Sequence, residues 1–172
     1  MADTFLDYGT IMNLALDVLQ KHNITKPPVA ADELARKLGF SVLCAELNPG
    51  YVAGYIDIDN NEIVVNSDDV PVQQNFTIAH ELGHYLLKHF EKDDYKENYS
   101  VLLRDARIDE DSSMEQEASW FAESLLVPVD FLFERIAKYP FVTDQSLARM
   151  FGVPVTVICD KAAKIRRTMS AY

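Results

Sequence analysis

The stretch Phe76-Thr77-Ile78-Ala79-His80-Glu81-Leu82-Gly83-His84-Tyr85-Leu86-Leu87 decides how this chain is read. Apolar residues flank a His-Glu-x-x-His core on both sides, which predicts one continuous helix. Residues four apart on a helix differ by about 40° around its axis, so His80 and His84 project from one face. That spacing lets two imidazole nitrogens reach one zinc ion at about 2.0–2.1 Å each. Glu81 lies at the flank of the same face, placed to touch a water on the metal rather than the metal itself. The pattern is short enough to arise by chance, so its surroundings matter. Three of the four histidines in the chain fall between His80 and His89, and spare acids follow on a second predicted helix.

Working outward, Asp69 is the expected N-cap of this helix, and Pro71 falls in its first turn, where a missing N–H costs nothing. Phe76, Ala79, Gly83, Leu86 and Phe90 form its expected core stripe. A glycine in a helix interior costs about 1 kcal/mol relative to alanine, so Gly83 points to another backbone passing close by. Upstream, Ile11, Leu14, Ala15, Val18 and Leu19 repeat at helical spacing over about 9–22. Residues 32–38 predict a short helix with Gly39 as its C-cap. Segments 41–47, 51–57 and 62–66 read as strands, the last two joined by an Asp59-Asn60-Asn61 turn whose residues tolerate positive φ.

Downstream, residues 91–113 are polar and charged and read as an irregular excursion. A helix over 114–127 follows, with Ala118, Phe121, Ala122, Leu125 and Leu126 on one face. Ser112 as its N-cap would make Glu115 a capping-box residue. Pro128 opens a helix to about 138, and helices over about 144–151 and 155–167 finish the chain. The expected fold class is α+β: a small, mostly antiparallel three-stranded sheet packed on the histidine helix, with helices covering the other side. Residues 1–127 form the expected core, and 128–172 a helical C-terminal subdomain packed on it.

At 172 residues the chain is long enough for a proper core, and 48% apolar with 25% charged residues is ordinary for a globular domain. No run approaches 18 apolar residues and the N-terminus shows no signal pattern, so no membrane partner is expected. Two distant cysteines, Cys44 and Cys159, read as buried free thiols in a reducing cytoplasm. The net charge of −11 argues against broad nucleic-acid binding. Residues 147–158 resemble a helix-turn-helix core through Leu147, Ala148, Val153 and Ile158. They have few base-reading residues, so a helical hairpin packed on the core is expected and direct DNA binding is not.

A catalytic zinc usually takes three protein ligands and a water. His89 lies about 140° around the helix from His84 and reads as a surface residue. His22 sits at a helix end, in the N-terminal segment. The acids of the 114–127 helix remain: Glu117, on a stripe with Phe121 and Leu125, is favoured, and Glu115 is the alternative.

The stretch Asn75-Phe76-Thr77-Ile78-Ala79-His80-Glu81-Leu82-Gly83-His84 resembles the ImmA/IrrE family of small zinc metallopeptidases. So does Glu115-Gln116-Glu117-Ala118-Ser119-Trp120-Phe121-Ala122-Glu123-Ser124-Leu125-Leu126-Val127-Pro128. Residues 31–39, the 54–66 hairpin and 146–154 continue the likeness. Gln73-Gln74-Asn75, where an arginine is commoner, and Ser119, where asparagine or aspartate is, depart from it. The resemblance implies a gluzincin-like site: His80, His84 and Glu117 as ligands of one zinc ion and Glu81 as general base. It implies site-specific cleavage of a protein, a helix-turn-helix repressor of a mobile element or of a stress or toxin–antitoxin system. The alternative is a zinc-holding partner protein that binds such a regulator with little proteolysis. Tyr51, Tyr55, Tyr85 and Tyr99 are the candidates for a donor to the developing oxyanion.

Overall fold

The structure, a computed structural model, describes residues 6–47, 53–91 and 113–170, with the side chains of Thr168 and Ser170 excepted. Helix α1 spans Tyr8–Lys21 and α2 spans Ala31–Lys37. Asp7 caps α1 by accepting from the amides of Gly9 and Thr10 at 2.9 and 3.2 Å. Three strands follow, β1 Ser41–Ala45, β2 Gly54–Asp57 and β3 Glu62–Asn66. Their order is β1-β3-β2. The β2–β3 hairpin is antiparallel, and Asn61 in its turn takes φ 55° as the Asp-Asn-Asn sequence predicts. β1 pairs parallel to β3, so the sheet is mixed, and β1 is its exposed edge.

Helix α3, Pro71–Leu86, lies on β2 and β3, with Pro71 at its first position. Val70 rather than Asp69 occupies the cap position, and no side chain caps it; Asp69 instead donates its amide to the Asn66 carbonyl in the preceding turn. Its buried surface is wider than one stripe, because Thr77, Ile78, Ala79, Glu81, Leu82, Gly83 and His84 are all buried. The sheet covers one side and α4, Ser113–Leu126, covers another. A Cβ on Gly83 would stand 3.0 Å from the Ala118 carbonyl oxygen and 3.1 Å from its Cα, so the close backbone is that of α4.

Helices α5 (Val129–Lys138), α6 (Asp144–Phe151) and α7 (Val155–Ser170) complete the described chain. Leu147, Ala148, Val153 and Ile158 are buried in the same apolar cluster as Ile11, Ile63, Leu82 and Phe121. Asn75 of α3 ties distant segments together. Its carboxamide accepts from the Ala31 amide at 2.9 Å and donates to the carbonyls of Val29 and Gly152 at 3.2 and 3.4 Å. In this way a residue of α3 caps α2, which has no cap of its own.

Both cysteines are free, but neither is buried: Cys44 is exposed on β1, and Cys159 is half-buried. Cys44 is exposed because β1 is an edge strand of the sheet. Tyr51, Tyr99, Ser112 and nearly all of the 91–113 excursion lie outside the described residues. No helix among the described residues is long and apolar enough to cross a membrane.

Candidate metal centre

Helix α3 delivers His80 and His84 from adjacent turns, and their Nε2 atoms stand 3.0 Å apart. Glu115, in the first turn of α4, meets both. Its Oε2 lies 2.9 Å from His80 Nε2 and its Oε1 3.3 Å from His84 Nε2. Two atoms each 2.0–2.1 Å from zinc at a tetrahedral angle would be roughly 3.3 Å apart, so the donor set has the size a zinc ion needs. Two imidazole nitrogens and a carboxylate are also donor types that zinc accepts. His84 is almost fully enclosed, whereas the side chains of His80 and Glu115 keep 17% and 18% of their surface. The centre therefore opens to solvent on the His80–Glu115 side.

Glu81 is buried beside this group, and burial raises its carboxyl pKa against the opposing pull of His84 and His80. Its Oε2 has no hydrogen-bond partner among the described residues. A buried carboxylate oxygen without a partner is costly, and a proton on a water at the centre would satisfy it. Burial opposes the charged form of His80, but the Glu115 hydrogen bond and the nearby carboxylates outweigh it and raise its pKa. Burial would raise Glu115 too. The hydrogen bonds from His80 and His84 instead hold it well below the usual carboxylate range. Glu115 is thus turned to the two histidines.

Glu117, the ligand expected from the sequence, is not in this group. Its Oε2 faces His89 Nε2 at 2.9 Å, and its Oε1 accepts from the Leu6 amide at 2.6 Å. Two residues apart on a helix means about 200° around the axis, so Glu115 and Glu117 cannot face the same neighbour. His89, expected on the surface, is wholly buried. The expectation ran the α3 helix on to residue 89. The helix ends at Leu86, Lys88 turns the chain at φ 59°, and a short 3₁₀ turn, His89–Glu91, folds the ring back under His84. Three histidines in ten residues was the available signal. Ser119, a departure from the family pattern, has its Oγ 3.3 Å from His80 Nδ1. Among the tyrosines, Tyr85 packs edge-on against Phe40 at 4.8 Å, and Tyr55 is half-buried on β2.

A cleft of about 280 Å³ lies beside the centre, lined by Gln73, Phe76, Ser119, Glu123, Pro154 and Val157 among others. Ser119 is common to the cleft wall and to the His80 contact.

A sequence profile of the M78 peptidases, described as the IrrE N-terminal-like domain, matches residues 35–162. The chain belongs to this family. The match runs through both motifs, so the chain carries a metallopeptidase-like domain, as the ImmA/IrrE resemblance implied. The group that could hold its metal is His80, His84 and Glu115. Among solved structures, a Mycobacterium tuberculosis transcriptional regulator is similar at a TM-score of 0.62 and 18% identity, over 88% of this chain and 45% of that one. At that identity the likeness is one of fold, and this chain spans less than half of that longer protein. No curated protein matches the sequence.

Proposed function

We propose that this chain is a zinc-dependent, site-specific endopeptidase that cuts a protein substrate in the cytoplasm. His80, His84 and Glu115 would hold the metal, and Glu81 would be the general base. One observation carries the reading: two Nε2 atoms and a carboxylate converge at mutual distances of 2.9–3.3 Å beside a buried Glu81 oxygen that has no partner among the described residues. Zinc bound there supplies Lewis acidity, which acidifies a water and polarises the scissile carbonyl.

The remaining steps belong to the chain's own residues. Glu81 takes the proton of the attacking water and passes it to the leaving amine. Its burial suits the second half of that task, because a raised carboxyl pKa makes the protonated form easier to reach. The enclosed side of the centre excludes bulk water, while the His80–Glu115 side admits an extended peptide. The adjoining cleft would take a substrate side chain against Phe76 and Val157. The unpaired thiols fit a reducing compartment. The resemblance to ImmA/IrrE proteins points to a helix-turn-helix regulator, encoded on mobile DNA or in a stress or toxin–antitoxin system, as the protein cut.

The test is intact-mass analysis of the helix-turn-helix regulator encoded beside this chain, after incubation with zinc-loaded protein, wild type next to Glu81→Gln. Two discrete fragments are expected with wild type. Glu81→Gln should retain zinc and cleave slower by roughly 10²–10⁴-fold. An intact regulator that co-purifies with both forms would replace this reading with that of a zinc-holding binding partner.

A further inference from the structure

We infer that His89 and Glu117 are positioning residues which hold His84 in the one tautomer that leaves its Nε2 free to bind a metal. The inference rests on the reading of His84 as a ligand. It starts at Glu117, whose two oxygens face two donors, the Leu6 amide at 2.6 Å and His89 Nε2 at 2.9 Å. A carboxylate only accepts, so His89 carries its proton on Nε2. The Nδ1 of a neutral His89 is then a bare acceptor. It lies 2.9 Å from His84 Nδ1, which must supply the proton between them. A neutral His84 with its proton on Nδ1 has its lone pair on Nε2. That is the atom facing His80 Nε2 and Glu115.

The geometry allows little escape from this chain of proton positions. The side chains of His84, His89 and Glu117 are 1%, 0% and 0% exposed, so bulk water cannot take over a contact. The His84 and His89 rings meet edge to face, with centroids 4.9 Å apart and planes at 77°, and a flip of either would break the Nδ1–Nδ1 contact. His80, the more open ligand, has Ser119 Oγ at 3.3 Å on its own Nδ1. The two acids of Glu115-Gln116-Glu117 therefore serve opposite edges of one imidazole. Glu115 faces Nε2 directly, and Glu117 acts on Nδ1 through His89.

Two measurements test this. The first is a long-range proton–nitrogen correlation spectrum of the histidine rings of the metal-free wild type, above the ordinary histidine pKa of about 6.5. His84 should show a protonated Nδ1 and a pyridine-like Nε2, and His89 the reverse. The opposite tautomer for either ring overturns the inference, and this readout needs no variant to fold. The second is zinc affinity by chelator competition. Glu117→Gln keeps the shape but offers one acceptor to two donors, and should weaken zinc about 10- to 100-fold. His89→Phe should do the same, while His89→Asn, which keeps an acceptor near the old Nδ1, should recover part of the loss. Wild-type affinity in both Glu117→Gln and His89→Phe would overturn the inference. If the wild type shows the stated tautomers and binds no zinc, the metal reading fails while the hydrogen-bond relay stands.

Discussion

Glu115 and Glu117 are separated only by Gln116 and end in different surroundings. Glu115 reaches the open face of the centre, where two histidines share its carboxylate. Glu117 is sealed inside, where one oxygen faces a histidine and the other accepts from the Leu6 amide. The difference sets an order of effects. Glu115→Ala removes a proposed ligand and should weaken zinc by more than the upper, roughly 100-fold, end expected for an orienting residue. It should also leave the far-UV circular dichroism of the metal-free protein unchanged, since its side chain is partly solvated. Chelator competition on Glu115→Ala and Glu117→Gln side by side checks the order; a larger loss in Glu117→Gln would return the ligand role to Glu117.

The crossing of α3 and α4 is what lets one residue of α4 meet two of α3. Gly83 is the point of nearest approach. A methyl group there would press on the Ala118 backbone and come within 3.3 Å of Phe121 Cβ. Alanine would contribute about 1 kcal/mol through helix propensity. Forcing two backbones apart costs about 1–3 kcal/mol, so Gly83→Ala should be destabilising on balance and should also lower zinc affinity, because α4 carries Glu115. Urea unfolding of the metal-free protein and chelator competition read the two effects. Gly54 is stricter, since an added Cβ would lie 2.6 Å from both the Val64 carbonyl and Thr77 Cγ2. Most elements could be read from the chain alone. β3, α6 and the 59–61 turn were anticipated closely, because their periodicity and turn residues act locally. The parallel β1–β3 pairing could not be, because nothing within a strand states which neighbour it will find. His89 was misplaced for a related reason: a wheel projection assumes that the helix continues, and a non-glycine residue at positive φ ends it.

At the scale of the molecule, the centre is held by residues far from it. Asn75 joins α3 to the start of α2 and to the turn at Gly152, and so links the N-terminal and C-terminal helices to the helix that carries His80 and His84. Asn75→Ala should cost about 2 kcal/mol, from three lost hydrogen bonds and a stranded amide at Ala31. For a chain of this length that lowers the melting temperature by roughly 4–8 °C, which calorimetry would read. An unchanged melting temperature would mean that water replaces all three contacts. The sequence by itself determined the helix that carries His80, Glu81 and His84 and their placing on one face of it, because they share one helix and their relation is set by 3.6 residues per turn. It also pointed to the acids of a second helix as partners for that face. Which acid of Glu115-Gln116-Glu117 meets the histidines was decided only by tertiary structure. Both project from the first turns of α4 and both are close to the centre. The contact of Gly83 with Ala118 sets how α4 crosses α3, and that crossing turns Glu115 toward Nε2 of the histidines and Glu117 toward the buried ring of His89.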